Sequence, residues 1–290
     1  MDLATFLVQC LNAVQYGLLL FLLASGLTLI FGIMGVINLA HGSFYMIGAY
    51  MAFALSPLLG QHFITMLLAG VALTVVLGYA LEWAFFSYLY EREHLQQVLM
   101  TFGLILVFEE LRSLLAGNDV HGVPLPGWLS GSFSLGELMS YPWYRLFASG
   151  VCLLVALALY WVVHRTRLGM MVRAGASNRD MVRGLGIAVK RLYRIVFAIG
   201  VALAALAGMI AAPMSSVYPG MGGNVLIICF VVVVIGGIGS ITGALLASLL
   251  VGFVDTFGKL FFQELSGMSV FLLMAVVLVW RPQGLMGQRS

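Results

Sequence analysis

The sequence predicts an all-α polytopic membrane protein with eight or nine transmembrane helices and Gly-rich broken segments in both halves. Three observations carry that fold class. Of the 290 residues, 62% are hydrophobic and only 9% charged, against about 45–50% and 25% in soluble domains; the mean hydropathy is +1.07. The apolar runs are long and continuous, as helices need when roughly 20 residues cross a hydrocarbon core of about 30 Å, and unlike the short alternating segments of a β-barrel. Charge is also concentrated: Arg165, Arg167, Arg173, Arg179, Arg183, Lys190, Arg191 and Arg194 place eight of the 14 basic residues in one loop.

Taken in order, the first apolar run, Leu3 to Phe31, follows Asp2 and has neither a basic leading region nor a small-residue cleavage site, so it reads as a retained helix rather than a signal peptide. Spans are expected near 4–31, 40–58, 63–87, 96–116, 143–163, 192–213, 224–238, 241–258 and 267–281. Segment 40–58 is the less regular span because it follows the Gly-rich break, and the pair 224–258, interrupted by "GGIGSITG", could include a re-entrant element. The basic loop 164–194 holds one acid, Asp180, and by the positive-inside rule it is cytoplasmic. Counting nine crossings from it puts 90–94 inside, 117–142 outside, the C-terminus inside and the N-terminus outside. The Gly-, Pro- and Ser-rich 117–142 is an external loop too short for its own domain, so residues 1–290 form a single transmembrane domain.

Two apolar stretches are broken by small and polar residues. In "FGIMGVINLAHGSFYMIGAY" (31–50) four glycines accompany Asn38, His41 and Ser43, the last two flanking Gly42. In "VVIGGIGSITGALLASLLVG" (233–252) the interruption is Gly236, Gly237, Gly239 and Ser240. Paired broken segments point to a midplane transport site built from discontinuous helices; close helix packing through small residues such as Gly243 and Ala247 is the other reading. Irregular backbone at membrane depth must face protein or water, because unsatisfied peptide groups are costly in lipid.

Ionisable residues within spans are the next candidates. Glu109, Glu110 and Arg112 lie toward the outer end of the fourth span, where Glu109 and Arg112 can pair three residues apart or the cluster can act as a gate. Glu82 stands alone, and Asp255 with Lys259 reads most simply as an i, i+4 ion pair. In the basic loop, Met171, Ala174, Met181 and Leu185 recur at helical spacing, with Ser177 or Asn178 placed to cap a new helix. Such a helix under the membrane serves either as a docking surface for a cytosolic partner or as an orienting segment that touches anionic lipid.

Chemistry of other kinds is poorly supported. The one Gly-Lys pair, Gly258-Lys259, is followed by Leu260 and lacks the P-loop's first glycine, so no ATP site of that type is expected. His41, His62, His94, His121 and His164 are scattered, as are Cys10, Cys152 and Cys229, so neither a metal site nor a disulfide is inferred. An embedded enzyme is a weak reading, and no nucleic-acid partner is expected.

The runs "GLTLIFGIMGVINLAHGSFYMIGAY" (26–50), "RLGMMVRAGASNRDMVRGLGI" (167–187), "VVIGGIGSITGALLASLLVG" and "LVWRPQGLMG" (278–287) occur in an order that resembles the branched-chain amino-acid ABC importer permeases, the first (Liv H-type) of their two permease types. The resemblance implies a bacterial inner-membrane subunit that pairs with a second homologous permease, two cytoplasmic ATPase subunits and a periplasmic binding protein. ATP and Mg would then sit on the ATPases, and this chain would bind no cofactor. It further implies that Arg173, Ala174, Arg179, Asp180, Arg183, Gly184, Leu185, Gly186 and Ile187 belong to an ATPase-coupling loop. Asn38, His41, Gly42, Ser43, Gly236, Gly237, Gly239 and Ser240 would lie on the translocation pathway or at the permease interface. Branched-chain amino acids are the default substrates, with small amides and carboxylates as related possibilities. The rival from another class is a self-sufficient secondary transporter or channel in which Glu109, Glu110 or Asp255 carries a proton or gates a pore.

Overall fold

A computed structural model describes residues 3–59, 62–90, 92–134, 140–261 and 263–287; within these, the side chains of Arg179, Asp180, Leu265 and Ser266 lie outside the described set. The helices are α1 (Leu3–Met34), α2 (His41–Leu58), α3 (Phe63–Ala84), α4 (His94–Ala116), α5 (Trp143–Arg165), α6 (Arg167–Ser177), α7 (Arg179–Gly184), α8 (Val189–Ser215), α9 (Met221–Gly236), α10 (Ile241–Phe261) and α11 (Ser266–Trp280). The protein is thus all-α and polytopic. Its described strands are a small hairpin in the 117–142 loop, β1 (Ser132–Ser134) paired antiparallel with β2 (Ser140–Pro142).

Among the described residues, five helical segments are long and apolar enough to cross a membrane: Leu3–Met34, Phe63–Tyr88, Trp143–Arg165, Val189–Ser215 and Ile241–Phe261. Met221–Gly236 and Gly267–Trp280 are apolar but shorter. Two expected spans fall outside both groups for a chemical reason. Gly, Ser, His and Tyr dilute α2, and Glu109, Glu110 and Arg112 enter the last third of α4.

The most apolar windows of α1 and α8 are 89% and 78% buried, against 28% for those of α3 and α5, so the first pair forms the centre and the second the periphery. Small residues make this packing possible. α1 and α10 run antiparallel with Gly17 against Leu249 and Gly32 against Gly239. At the α2–α8 crossing a Cβ on Gly48 would land on the Ala205 backbone, and one on Gly208 would meet the Tyr45 carbonyl. These helices therefore approach backbone to backbone, the contact that small residues permit where lipid tails supply no hydrophobic drive between helices. Phe44 closes the centre, edge-on to Phe197 at 6.0 Å and to Phe108 at 5.8 Å.

The loop expected to carry one helix over 171–187 carries two. α6 ends at Ser177, Asn178 has extended backbone, and its side chain accepts a hydrogen bond from Met181 N at 3.0 Å to cap α7. Asn at this position offers the chain an N-cap that competes with helix continuation.

Candidate functional site

The first broken segment folds back along α1. After α1 ends at Met34, residues 35–40 run back beside it, and α2 starts with His41 donating from Nε2 to the Leu23 carbonyl at 2.9 Å. Leu23 lies eleven residues before the end of α1, or about 16 Å along its axis. Asn38 holds the bend, accepting from Ala40 N at 3.1 Å, while Asn38 Nδ2 and His41 Nδ1 have no hydrogen-bond partner among the described residues. Asn38, His41, Gly42 and Ser43 are all buried inside this one chain, with Gly42 pressed against Gly222 at the start of α9.

The second broken segment joins α9 to α10. Gly237 has φ +95° and Gly239 φ +81°, conformations that glycine adopts without Cβ strain. Ser240 Oγ then accepts from Gly243 N at 3.0 Å and caps α10. Gly236 and Gly237 are buried, Gly239 is exposed, and the C-terminal turn covers the break: Leu285 N donates to Ile235 O at 2.8 Å and Met286 N to Gly236 O at 3.1 Å.

The fold brings the two breaks together, because a Cβ on Gly32 would lie 3.1 Å from the Gly239 Cα. The basic loop reaches the same place. Gly175 on α6 faces Ile33 of α1 and Leu192 of α8, two residues before the Gly35 bend (φ +64°). α6 is also fastened to the end of α5, where Arg173 donates to the Val163 carbonyl and Gly169 packs under the same turn. A displacement of α6 therefore has contiguous contacts to both breaks.

On that loop Ala174, Arg183, Gly184, Leu185 and Gly186 are exposed and Ile187 is half-buried. Met170, Met181 and Leu185 are 56%, 66% and 74% exposed, although Val172 and Val182 on the same helices are buried. The helical spacing read from the sequence thus describes two faces: one seats the loop on α1 and α8, and the other offers apolar side chains among arginines. Arg179 and Asp180 complete the expected set, but their side chains lie outside the described residues.

At the other end of the molecule, Arg112 pairs with Glu109 at 3.0 Å, donates to Gly117 O at 2.7 Å and Asn118 Oδ1 at 3.1 Å, and lies over the Tyr50 ring. Glu110 is exposed. The arginine ties α4 to the loop that follows it. Asp255 and Lys259 pair at 2.6 Å as their spacing predicts.

Glu82 is not alone. Its buried carboxylate accepts from Arg194 Nε at 2.9 Å and from the Tyr90 hydroxyl at 2.6 Å. Burial, with the Glu82 carboxylate next to it, pushes the Tyr90 phenol above its ordinary range. The sequence shows each partner but not the pairing, since 112 positions separate Glu82 from Arg194. The only available signal was that a lone intramembrane acid requires a cation.

Comparison with known proteins follows the same outline. The family described as "Branched-chain amino acid transport system / permease component" matches residues 9–279. The chain is 33% identical to the high-affinity branched-chain amino acid transport system permease protein BraD of Pseudomonas aeruginosa, over 98% of this chain and 96% of that one. It is 30% identical to the corresponding protein LivH of Escherichia coli, covering 98% and 96%. Against the Escherichia coli permease protein LivM it is 27% identical, over 91% of this chain but 67% of the other.

Proposed function

The chain belongs to the family of branched-chain amino-acid transport permease components, and from that premise we propose that it is the membrane-spanning subunit of an ATP-driven importer. Its substrates are branched-chain or related amino acids, or small amides or carboxylates, delivered by a periplasmic binding protein. It works beside a second permease of the LivM kind and two cytoplasmic ATPases that carry ATP and Mg, and this chain holds no cofactor. It sits in a bacterial inner membrane as a single domain with nine crossings, α1 to α5 and α8 to α11, the basic loop facing the cytoplasm. The observation that carries the reading is the family match across nearly the whole chain.

In this reading α6 and α7 form the coupling element, Arg183 and Leu185 meeting the ATPase together with Arg179. ATP-driven closure of the ATPases displaces α6, and the contact of Gly175 with Ile33 carries that motion to the bends at Gly35 and Gly237. The bends around Asn38, His41, Gly42 and Ser43, and around Gly236, Gly237, Gly239 and Ser240, then alternate the pathway between its two openings. The test is mild detergent extraction of the tagged chain from its native membrane, with the stoichiometry of co-purifying proteins read by mass spectrometry. A second permease and two ATPases are expected. A homo-oligomer that transports in liposomes without ATP overturns the reading.

A further inference from the structure

Far from both breaks, α1, α5 and α10 enclose an open pocket of about 450 Å³ whose lining includes Asn12, Gln15, Tyr16, Arg145, Asp255 and Lys259. All of these sit at the end of the molecule opposite the basic loop: the first turns of α1, the start of α5 and the last turns of α10. Polar side chains on three neighbouring apolar helices are expensive to keep unless they face water, protein or a ligand. The pocket holds one acid and two bases on facing helices, so it presents separated charges of opposite sign.

The present partners of those charges are unequal. Arg145 donates from Nη1 to the neutral Asn12 side chain, and no acid among the described residues forms an ion pair with it. The Asp255 side chain is only 12% exposed, whereas its cation, Lys259, is 62% exposed and rests over the Tyr16 ring at 5.7 Å. A lysine ammonium on a flexible four-carbon stem is a mobile point charge. It can leave the carboxylate when another ammonium arrives, at little cost because it re-enters water.

Resting on the transport reading above, we propose that this pocket is an outer binding site for a zwitterionic amino acid, with Asp255 receiving the α-ammonium in place of Lys259 and Arg145 receiving the carboxylate. Arg145 supplies the planar fork that matches a carboxylate. Tyr16 offers its ring to an aliphatic side chain. The pocket volume exceeds what a leucine fills, which suits a site that receives the substrate and passes it on.

The experiment uses the complete transporter in nanodiscs, without binding protein, and measures retention of radiolabelled leucine; uptake driven by loaded binding protein is measured in parallel in proteoliposomes. Asp255→Asn and Arg145→Gln should each weaken retention about tenfold, the loss expected for one charged hydrogen-bonded contact, and slow uptake. Lys259→Gln should strengthen retention because it removes the competing cation. A merely structural Asp255–Lys259 pair makes the opposite forecast: Asp255→Asn and Lys259→Gln act alike, by lowering the yield of intact complex. That result, or wild-type retention and uptake in Asp255→Asn, overturns the site while leaving the importer reading intact. Failure of the wild-type complex to take up any amino acid overturns the site, and failure to take up small amides and carboxylates as well overturns the importer reading with it.

Discussion

Glu82 on α3 and Arg194 in the second turn of α8 are joined at 2.9 Å, with the carboxylate fully enclosed and the guanidinium partly open to water. Tyr90, in the connection between α3 and α4, closes the same group. Three elements at the end of the bundle that carries the basic loop are therefore held by one buried acid.

The two partners should respond unequally to substitution. Arg194→Gln leaves a buried carboxylate with only the Tyr90 hydroxyl, whereas Glu82→Gln leaves an arginine that water can reach. Because an uncompensated buried charge is the costlier remnant, Arg194→Gln should lower the unfolding temperature of the detergent-solubilised chain by several degrees and Glu82→Gln by less. The double substitution should recover part of the loss. Equal and additive shifts would show that the pair contributes nothing as a pair.

Glycines at the backbone contacts should tolerate no side chain. Gly48→Ala and Gly208→Ala drive a methyl into backbone of the facing helix, an overpacking that costs about 1–3 kcal/mol. Gly150→Ala on α5 meets nothing within 4 Å, and should be neutral or stabilising by about 0.5–1 kcal/mol. Thermal unfolding followed by intrinsic fluorescence separates the two groups.

The exposed face of α7 should be dispensable for folding and needed for assembly. Leu185 is 74% exposed, so Leu185→Glu, or charge reversal at Arg183 with Arg179, should leave the yield of the chain near wild type. Either change should cut ATPase co-purification or uncouple ATP hydrolysis from uptake. Intact assembly with intact coupled uptake would remove α7 from the coupling role.

The C-terminal turn should stabilise the α9–α10 break. Gly284 has φ +79° and sits against Gly237, so Gly284→Ala is both strained and crowded. It should release the hydrogen bonds of Leu285 and Met286 to Ile235 and Gly236 and raise hydrogen exchange across 235–240. Unchanged exchange there would mean that the turn is decoration.

Much of this protein was legible from one dimension. Helix-length apolar runs, clustered arginines and i, i+3 or i, i+4 charge spacing depend on neighbours in the chain, and so Asp255–Lys259, Glu109–Arg112 and a cap at Ser177 or Asn178 were all readable. Both Gly-rich breaks were visible for the same reason: glycine and serine inside an apolar run state locally that the helix stops. The single helix expected over 171–187 is split at the Asn178 cap, and which apolar residues of its two halves are buried was not legible, because exposed and buried apolar residues look alike in a sequence. Only the packing of α6 on α1 and α8 separates Val172 and Val182 from Met181 and Leu185.

Which parts meet across long intervals was another matter. Gly32 against Gly239 and Glu82 with Arg194 are contacts, and Arg145 and Asp255 line one pocket, although more than a hundred residues separate the members of each pair. Composition could require that each such group have a partner, since lipid solvates neither peptide groups nor charge. The choice of partner came from how helices with small residues nest backbone to backbone, and that is a property of the assembled bundle, set by shapes that no single segment carries.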